Sequence, residues 1–120
     1  FVAAGYVDDA AYARAKAGSL LRRGYGERRI GQALGAAGIE ETLRDEVLPD
    51  EGEARRAALT LARKRGFGPF GRTVPDRPLR EKQLAAMLRA GHRLSAARAV
   101  VESPTVEDAE GWAAVEEGHT

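Results

Sequence analysis

The chain contains no cysteine, which removes disulfides, thiol nucleophiles and thiolate zinc sites together. It has no run approaching the roughly 20 apolar residues of a membrane span, and no charged, apolar and small-residue succession of the signal-segment kind. A soluble, cytoplasmic chain without membrane contact is expected. Histidine is scarce as well: His92 follows a glycine and His119 stands near the C-terminus. Neither has a partner at metal-ligand spacing, so both read as ordinary loop histidines. The segment "GYGERRIG" carries glycines but no preceding strand and no Gly-Lys-Ser/Thr, which a phosphate loop requires. Asp8 and Asp9 read as helix caps rather than a metal pair. These absences point to a protein that is not an enzyme and uses neither cofactor nor metal. A start at Phe1 without Met is what a fragment with something missing upstream would have.

What the chain does have is charge, unevenly placed. Residues 1–102 carry all 19 Lys and Arg against 13 of the 18 Asp and Glu, whereas residues 103–120 hold the other 5 acids and no base. A basic body favours a polyanion or an acidic protein surface; arginines that merely solvate helix faces are the alternative.

Helical patterning dominates. From Asp8 to Arg23 the run "DDAAYARAKAGSLLRR" has acids at its head and arginines at its tail, and places Ala10, Ala13, Ala17, Leu20 and Leu21 on one stripe. Gly24 then reads as a left-handed C-cap, with Tyr25 folding back on the last turn. A second helix is expected over about 27–36, burying Ile30, Ala33, Leu34 and Ala37 and stopped by Gly38. A third, over about 40–48, buries Leu43, Val47 and Leu48.

The pattern then restarts. A helix over about 53–65 buries Ala54, Ala57, Ala58, Leu61 and Ala62 and ends at Gly66 with Phe67 in the place of Tyr25. After the Gly/Pro-rich "GPFGRTVPDRP", a helix capped by Asp76 with Pro78 in its first turn buries Leu84, Met87 and Leu88 and stops at Gly91. The last, over about 94–102, buries Ala97, Val100 and Val101. "RGYG" and "RGFG" lie 42 residues apart, and Gly38 pairs with Gly91, Leu43 with Ala96, and Val47-Leu48 with Val100-Val101 at an offset of 53. The expected fold is therefore all-α, an elongated array of tandem three-helix modules over 8–49 and 50–103, the second with an inserted loop at 68–78. Residues 104–120 read as an acidic tail, solvated and mobile, with room for a short helix from Thr105 and a docking Trp112.

Arginine also stands where helix physics does not ask for it. Arg28 and Arg29 occupy the first turn of their helix, where the dipole disfavours cations by a few tenths of a kcal/mol. With Arg22 and Arg23 they form a basic cluster around the first glycine loop. Arg63, Lys64 and Arg65 repeat it in the second module, followed by Arg80 and Lys82. These nine are the candidate partner or DNA-binding residues, against the alternative of a solvated basic rim.

Several segments carry a family resemblance. "GYVDDAAYA" at 5–13, "RRGYGERRIGQAL", "GIEETLRDEVL" and "REKQLAAMLRAGHRLSAARAVVE" resemble the RecX family of regulators of the RecA recombinase, over residues 1–102. RecX proteins are arrays of three-helix modules, usually three, so residues 1–7 would be the remnant of a preceding module. The resemblance implies a monomer that lodges in the groove of the RecA filament on single-stranded DNA, with weak DNA contact, and suppresses strand exchange, ATP hydrolysis and co-protease action. His92 stands where the family has an aromatic, and the loop at 68–78 and the acidic tail also depart from its pattern. A free-standing helix-turn-helix-like nucleic-acid binder is the alternative, although "ERRIGQALGAAG" presents no outward base-reading set. A protein-interaction scaffold unrelated to recombination is the third reading.

Overall fold

A computed structural model describes residues 8–115, so the turn at Gly5–Asp9 lies largely outside the described residues. Seven α-helices and one 3-10 turn follow one another, with no strand among the described residues. They are α1 (Asp9–Arg22), α2 (Glu27–Ala36), α3 (Glu41–Val47), α4 (Glu51–Arg65), the turn Gly68–Phe70, α5 (Arg77–Arg89), α6 (Leu94–Val101) and α7 (Val106–Ala114). Among the described residues, no helix is long and apolar enough to cross a membrane. The principal extents are 52 × 34 × 18 Å.

The four expected stops close in one way. Gly24, Gly38, Gly66 and Gly91 have φ of 93°, 83°, 70° and 99°, a region that residues with a Cβ rarely enter. The N–H of the residue after each returns to the carbonyl five residues back: Tyr25 to Leu20 at 3.0 Å, Ile39 to Leu34 at 3.0 Å, Phe67 to Ala62 at 2.9 Å and His92 to Met87 at 3.1 Å. This six-to-one closure satisfies helix carbonyls that would otherwise lack a partner.

Helix starts differ more than stops. Asp76 accepts from the Leu79 N–H at 3.0 Å with Pro78 in the first turn, as expected. Helix α4 begins at Glu51, two residues earlier than its periodicity indicates. Asp50 Oδ1 accepts from the Glu53 N–H at 2.8 Å, and Glu53 Oε1 accepts from the Asp50 N–H at 3.0 Å, a reciprocal capping box. Asp8 makes no side-chain cap bond. Its ψ of 39° is not the extended setting that aims a carboxylate at the first turn.

Two cores correspond to the two three-helix units. Ala13, Ala17 and Leu20 of α1 pack on Ile30 and Leu34 of α2 and on Ile39, with Leu43, Val47 and Leu48 of the α3 region half-buried against them. Ala58, Leu61 and Ala62 of α4 pack on Met87 and Ala90 and on Ala97, Val100 and Val101 of α6. The Tyr25 ring touches both cores.

The solvated reading of the tail is corrected over 106–114, while residues 116–120 lie outside the described residues. Helix α7 buries Ala109 and Ala113, four residues apart on one face, against Leu59 of α4, with Phe70 and Trp112 alongside. Thr105 caps it by accepting from the Asp108 N–H at 3.0 Å, and Glu107 and Asp108 sit at the positive end of its dipole. The acids that read as solvated are thus placed where a helix start favours them. Leu59 lay off the expected stripe of α4 because α4 has a second buried face, the one α7 covers.

Candidate functional site

The glycine loop after α1 and the end of α5 meet backbone to backbone. The Gly26 N–H donates to Ala90 O at 2.8 Å, and the Arg28 N–H donates to Gly91 O at 3.1 Å. A Cβ on Gly26 would lie 2.6 Å from the Gly91 carbonyl carbon, and one on Gly91 would lie 2.4 Å from Arg29 N. Neither position has room for a side chain, so these two glycines set how closely the units approach.

The negative end of α5 therefore faces the positive end of α2. The Ala90 and Gly91 carbonyls, just past the end of α5, act as caps for α2, whose N-cap residue, Gly26, has no side chain to do so. This changes the reading of Arg28 and Arg29. The dipole penalty expected for them is offset by the α5 terminus, so their position does not by itself require a ligand.

His92 seals the same joint. Its side chain is 2 % exposed, and Nε2 lies 2.7 Å from Gly24 O. A carbonyl only accepts, so Nε2 carries the proton. Burial pushes the imidazole below its ordinary value of 6.5, partly opposed by the Gly24 carbonyl and by Glu27. Glu27 and Arg93 pair at 2.9 Å beside it. With Glu51 and Arg55 they line a crevice of about 130 Å³ next to the ring. The expectation of an ordinary loop histidine is corrected: His92 is a buried link between the units. The offset of 53 held the clue, because it aligns His92 with the buried Ile39.

The nine candidate cations do not form one patch. The Arg23 and Arg29 guanidinium carbons lie 5.1 and 4.7 Å from the centre of the Tyr25 ring, in cation–π range. Lys64 Nζ donates to Arg23 O at 3.4 Å, which joins the cluster after α1 to the one closing α4. Arg22, Arg28 and Arg65 are exposed in the same segments. Arg63 points elsewhere, pairing with Glu110 of α7 at 2.9 Å and covering the Phe70 ring at 5.5 Å. Arg80 and Lys82 lie roughly 12–15 Å along α5 from Ala90, by helix rise, and Arg80 lines a separate cleft.

Arg55 and Trp112 were not among the candidates. Arg55 Nη1 donates to Trp112 O at 2.9 Å while its guanidinium covers the indole at 5.0 Å, and its Nε pairs with Glu51 at 2.8 Å. Their role is to hold α7. Among the described residues, no group of three or more His, Asp or Glu is placed to hold a metal ion.

Residues 8–48 match the family model described as RecX, second three-helix domain. Over 104 residues the chain is 34% identical to Regulatory protein RecX of Agrobacterium fabrum, covering 87% of this chain and 55% of that protein. It is 36% identical over 104 residues to Regulatory protein RecX of Myxococcus xanthus, covering 82% and 55% respectively. The chain thus spans about half the length of the curated relatives it matches. No solved structure matches it significantly. With the all-helical architecture and its doubled helix stops, these matches establish that the chain belongs to the RecX family.

Proposed function

We propose that this chain is a non-enzymatic regulator that binds the RecA filament on single-stranded DNA through the cations at the joint between its two units, namely Arg22, Arg23, Arg28, Arg29, Lys64 and Arg65. The observation that carries the reading is the Tyr25 ring, which touches both cores and holds Arg23 and Arg29 over its faces. Cations anchored on an aromatic lose less side-chain freedom on binding than free ones. Lys64, bonded to the Arg23 carbonyl, extends the positive surface from the first unit to the second. A ligand that engages all of them spans the joint, so the two units act as one linked contact. Such a chain bridges successive parts of a filament groove and restrains the filament.

The test is binding to bare and to RecA-coated single-stranded DNA over a salt series. Phosphate contacts alone give only ~10⁻⁴ to 10⁻⁶ M at physiological salt. The expected result is weak, salt-labile binding to bare DNA, distinctly tighter binding to coated DNA, and slowed ATP turnover by RecA. Charge reversal at Arg22, Arg23, Arg28 and Arg29 weakens the filament complex and flattens its salt dependence. Equal affinity for bare and coated DNA with RecA ATPase untouched at saturation would instead support the nucleic-acid binder. Unchanged affinity of the charge-reversed protein would move the interface away from the joint.

A further inference from the structure

We propose that the cleft between the 68–75 loop and the end of α6 is a docking site for an extended acidic peptide segment with an apolar residue beside its carboxylate. This site is separate from the cations at the joint and does not depend on the filament reading. The cleft has a volume of about 750 Å³, within the usual range for ligand sites.

Its base is fixed. The Gly68 N–H donates to Oε1 of Gln83, a buried side chain on α5, at 2.8 Å. A Cβ on Gly68 would lie 2.7 Å from Val101 O, so the start of the loop is pressed directly on the end of α6. Pro69, Pro75 and Pro104, three of the chain's five prolines, stand in the walls. Walls of this kind have little conformational freedom to lose when a ligand binds.

The chemistry of the lining selects the occupant. Val74, on the rim, is 90 % exposed, the most exposed large apolar side chain among the described residues, and the rings of Pro69, Pro75 and Pro104 add apolar surface to the lining. Arg72 and Arg80 both face the cleft, and neither takes part in the ion pairs among the described residues, which engage Arg55, Arg63, Arg77 and Arg93. Two unpaired guanidiniums beside apolar walls suit carboxylates with an apolar neighbour. Glu102 is the one acid in the lining. It accepts hydrogen bonds, which peptide N–H groups supply and phosphodiesters do not. No aromatic residue lines the cleft, so the stacking platform of a single-strand binder is missing. A peptide therefore fits where a nucleic acid does not.

The test is an NMR titration of the ¹⁵N-labelled 120-residue chain with three probes: the blocked peptide Glu-Leu-Asp-Val-Glu, its Lys-for-acid counterpart, and a thymidine octanucleotide. The acidic peptide is expected to shift the amides of Arg72, Thr73, Val74, Glu102 and Ser103 saturably. Arg72→Glu and Arg80→Glu, neither of them in the core, should each weaken it at least tenfold, and Val74→Asp should do likewise without a charge swap on arginine. Well-dispersed spectra of the variants away from the cleft identify them as folded. The proposal is overturned if the acidic peptide causes no localised shifts, if the basic peptide or the oligonucleotide reproduces them, or if all three folded variants bind as the parent does.

Discussion

The two three-helix units share their glycine stops, and Leu20 and Leu34 of the first correspond to the equally buried Ala62 and Met87 of the second, but at two further buried positions an apolar side chain gives way to a polar one. Ile30 and Ile39 of the first unit correspond to Gln83 and His92 of the second, and all four are buried. A buried polar side chain destabilises unless it is hydrogen-bonded, and each of these has one bond to an element outside its own helix: Gln83 to the loop at Gly68, His92 to Gly24 of the first unit. The difference teaches that the second unit gives up apolar contacts at the points where it must hold something more, a loop the first unit lacks and the first unit itself.

The largest effects should come where the units are alike. Leu34→Ala and Met87→Ala empty equivalent, fully buried positions, and each should cost about 2–5 kcal/mol in urea unfolding. A large cost in one unit only would break the equivalence. Next is the helix that belongs to the second unit alone. Ala109→Leu overpacks the contact with Leu59 and should cost about 1–3 kcal/mol, with no change expected if the segment were a solvated tail. Gln83→Leu leaves the Gly68 N–H without its acceptor, a loss of about 1–3 kcal/mol, whereas Ile30→Leu should stay under about 1.5 kcal/mol. A smaller loss for Gln83→Leu than for Ile30→Leu would show that the amide holds nothing.

The contrast between Ile39 and His92 predicts a pH effect of definite sign. Because burial lowers the folded-state pKa of His92 below 6.5, the unfolded chain binds the proton more readily. Stability is then fully present above about pH 6.5 and falls as the pH drops below it toward the folded value. Denaturant melts between pH 5 and 8 should show that slope in the parent and a flatter one in His92→Phe, and identical slopes would remove the histidine from the account. The smallest effect concerns Arg63 and Glu110, an ion pair with both side chains about half exposed. Glu110→Gln should change stability by only ~0.2–1 kcal/mol, and a larger loss would make the pair part of what holds α7.

Helix content, the four glycine stops and both core stripes, apart from Ala37 and Leu88, which were expected to be buried but lie exposed near their helix ends, were legible in the sequence because they depend on local geometry. A 3.6-residue period puts Leu20, Ile30 and Met87 on buried faces, and Gly24, Gly38, Gly66 and Gly91 are residues without a Cβ at helix ends. What the stops also do was not legible. Whether a glycine only ends a helix or also admits another backbone, as Gly91 admits that of Gly26 and Arg29, depends on which helix arrives there. Likewise, two alanines four residues apart in an acidic segment look solvated until Leu59 is placed opposite them. Charge was legible as composition but not as a surface: the sequence presents Arg63, Lys64 and Arg65 as one run, and the helical rotation sends Arg63 to Glu110 and Lys64 to the Arg23 carbonyl. Periodicity and backbone sterics act between near neighbours in the chain, so the sequence by itself determined the helices and their ends. The joint, the seat of α7 and the partners of His92 and Gln83 bring together residues 15 to 68 positions apart, and only the packing of the tertiary structure decides such pairings.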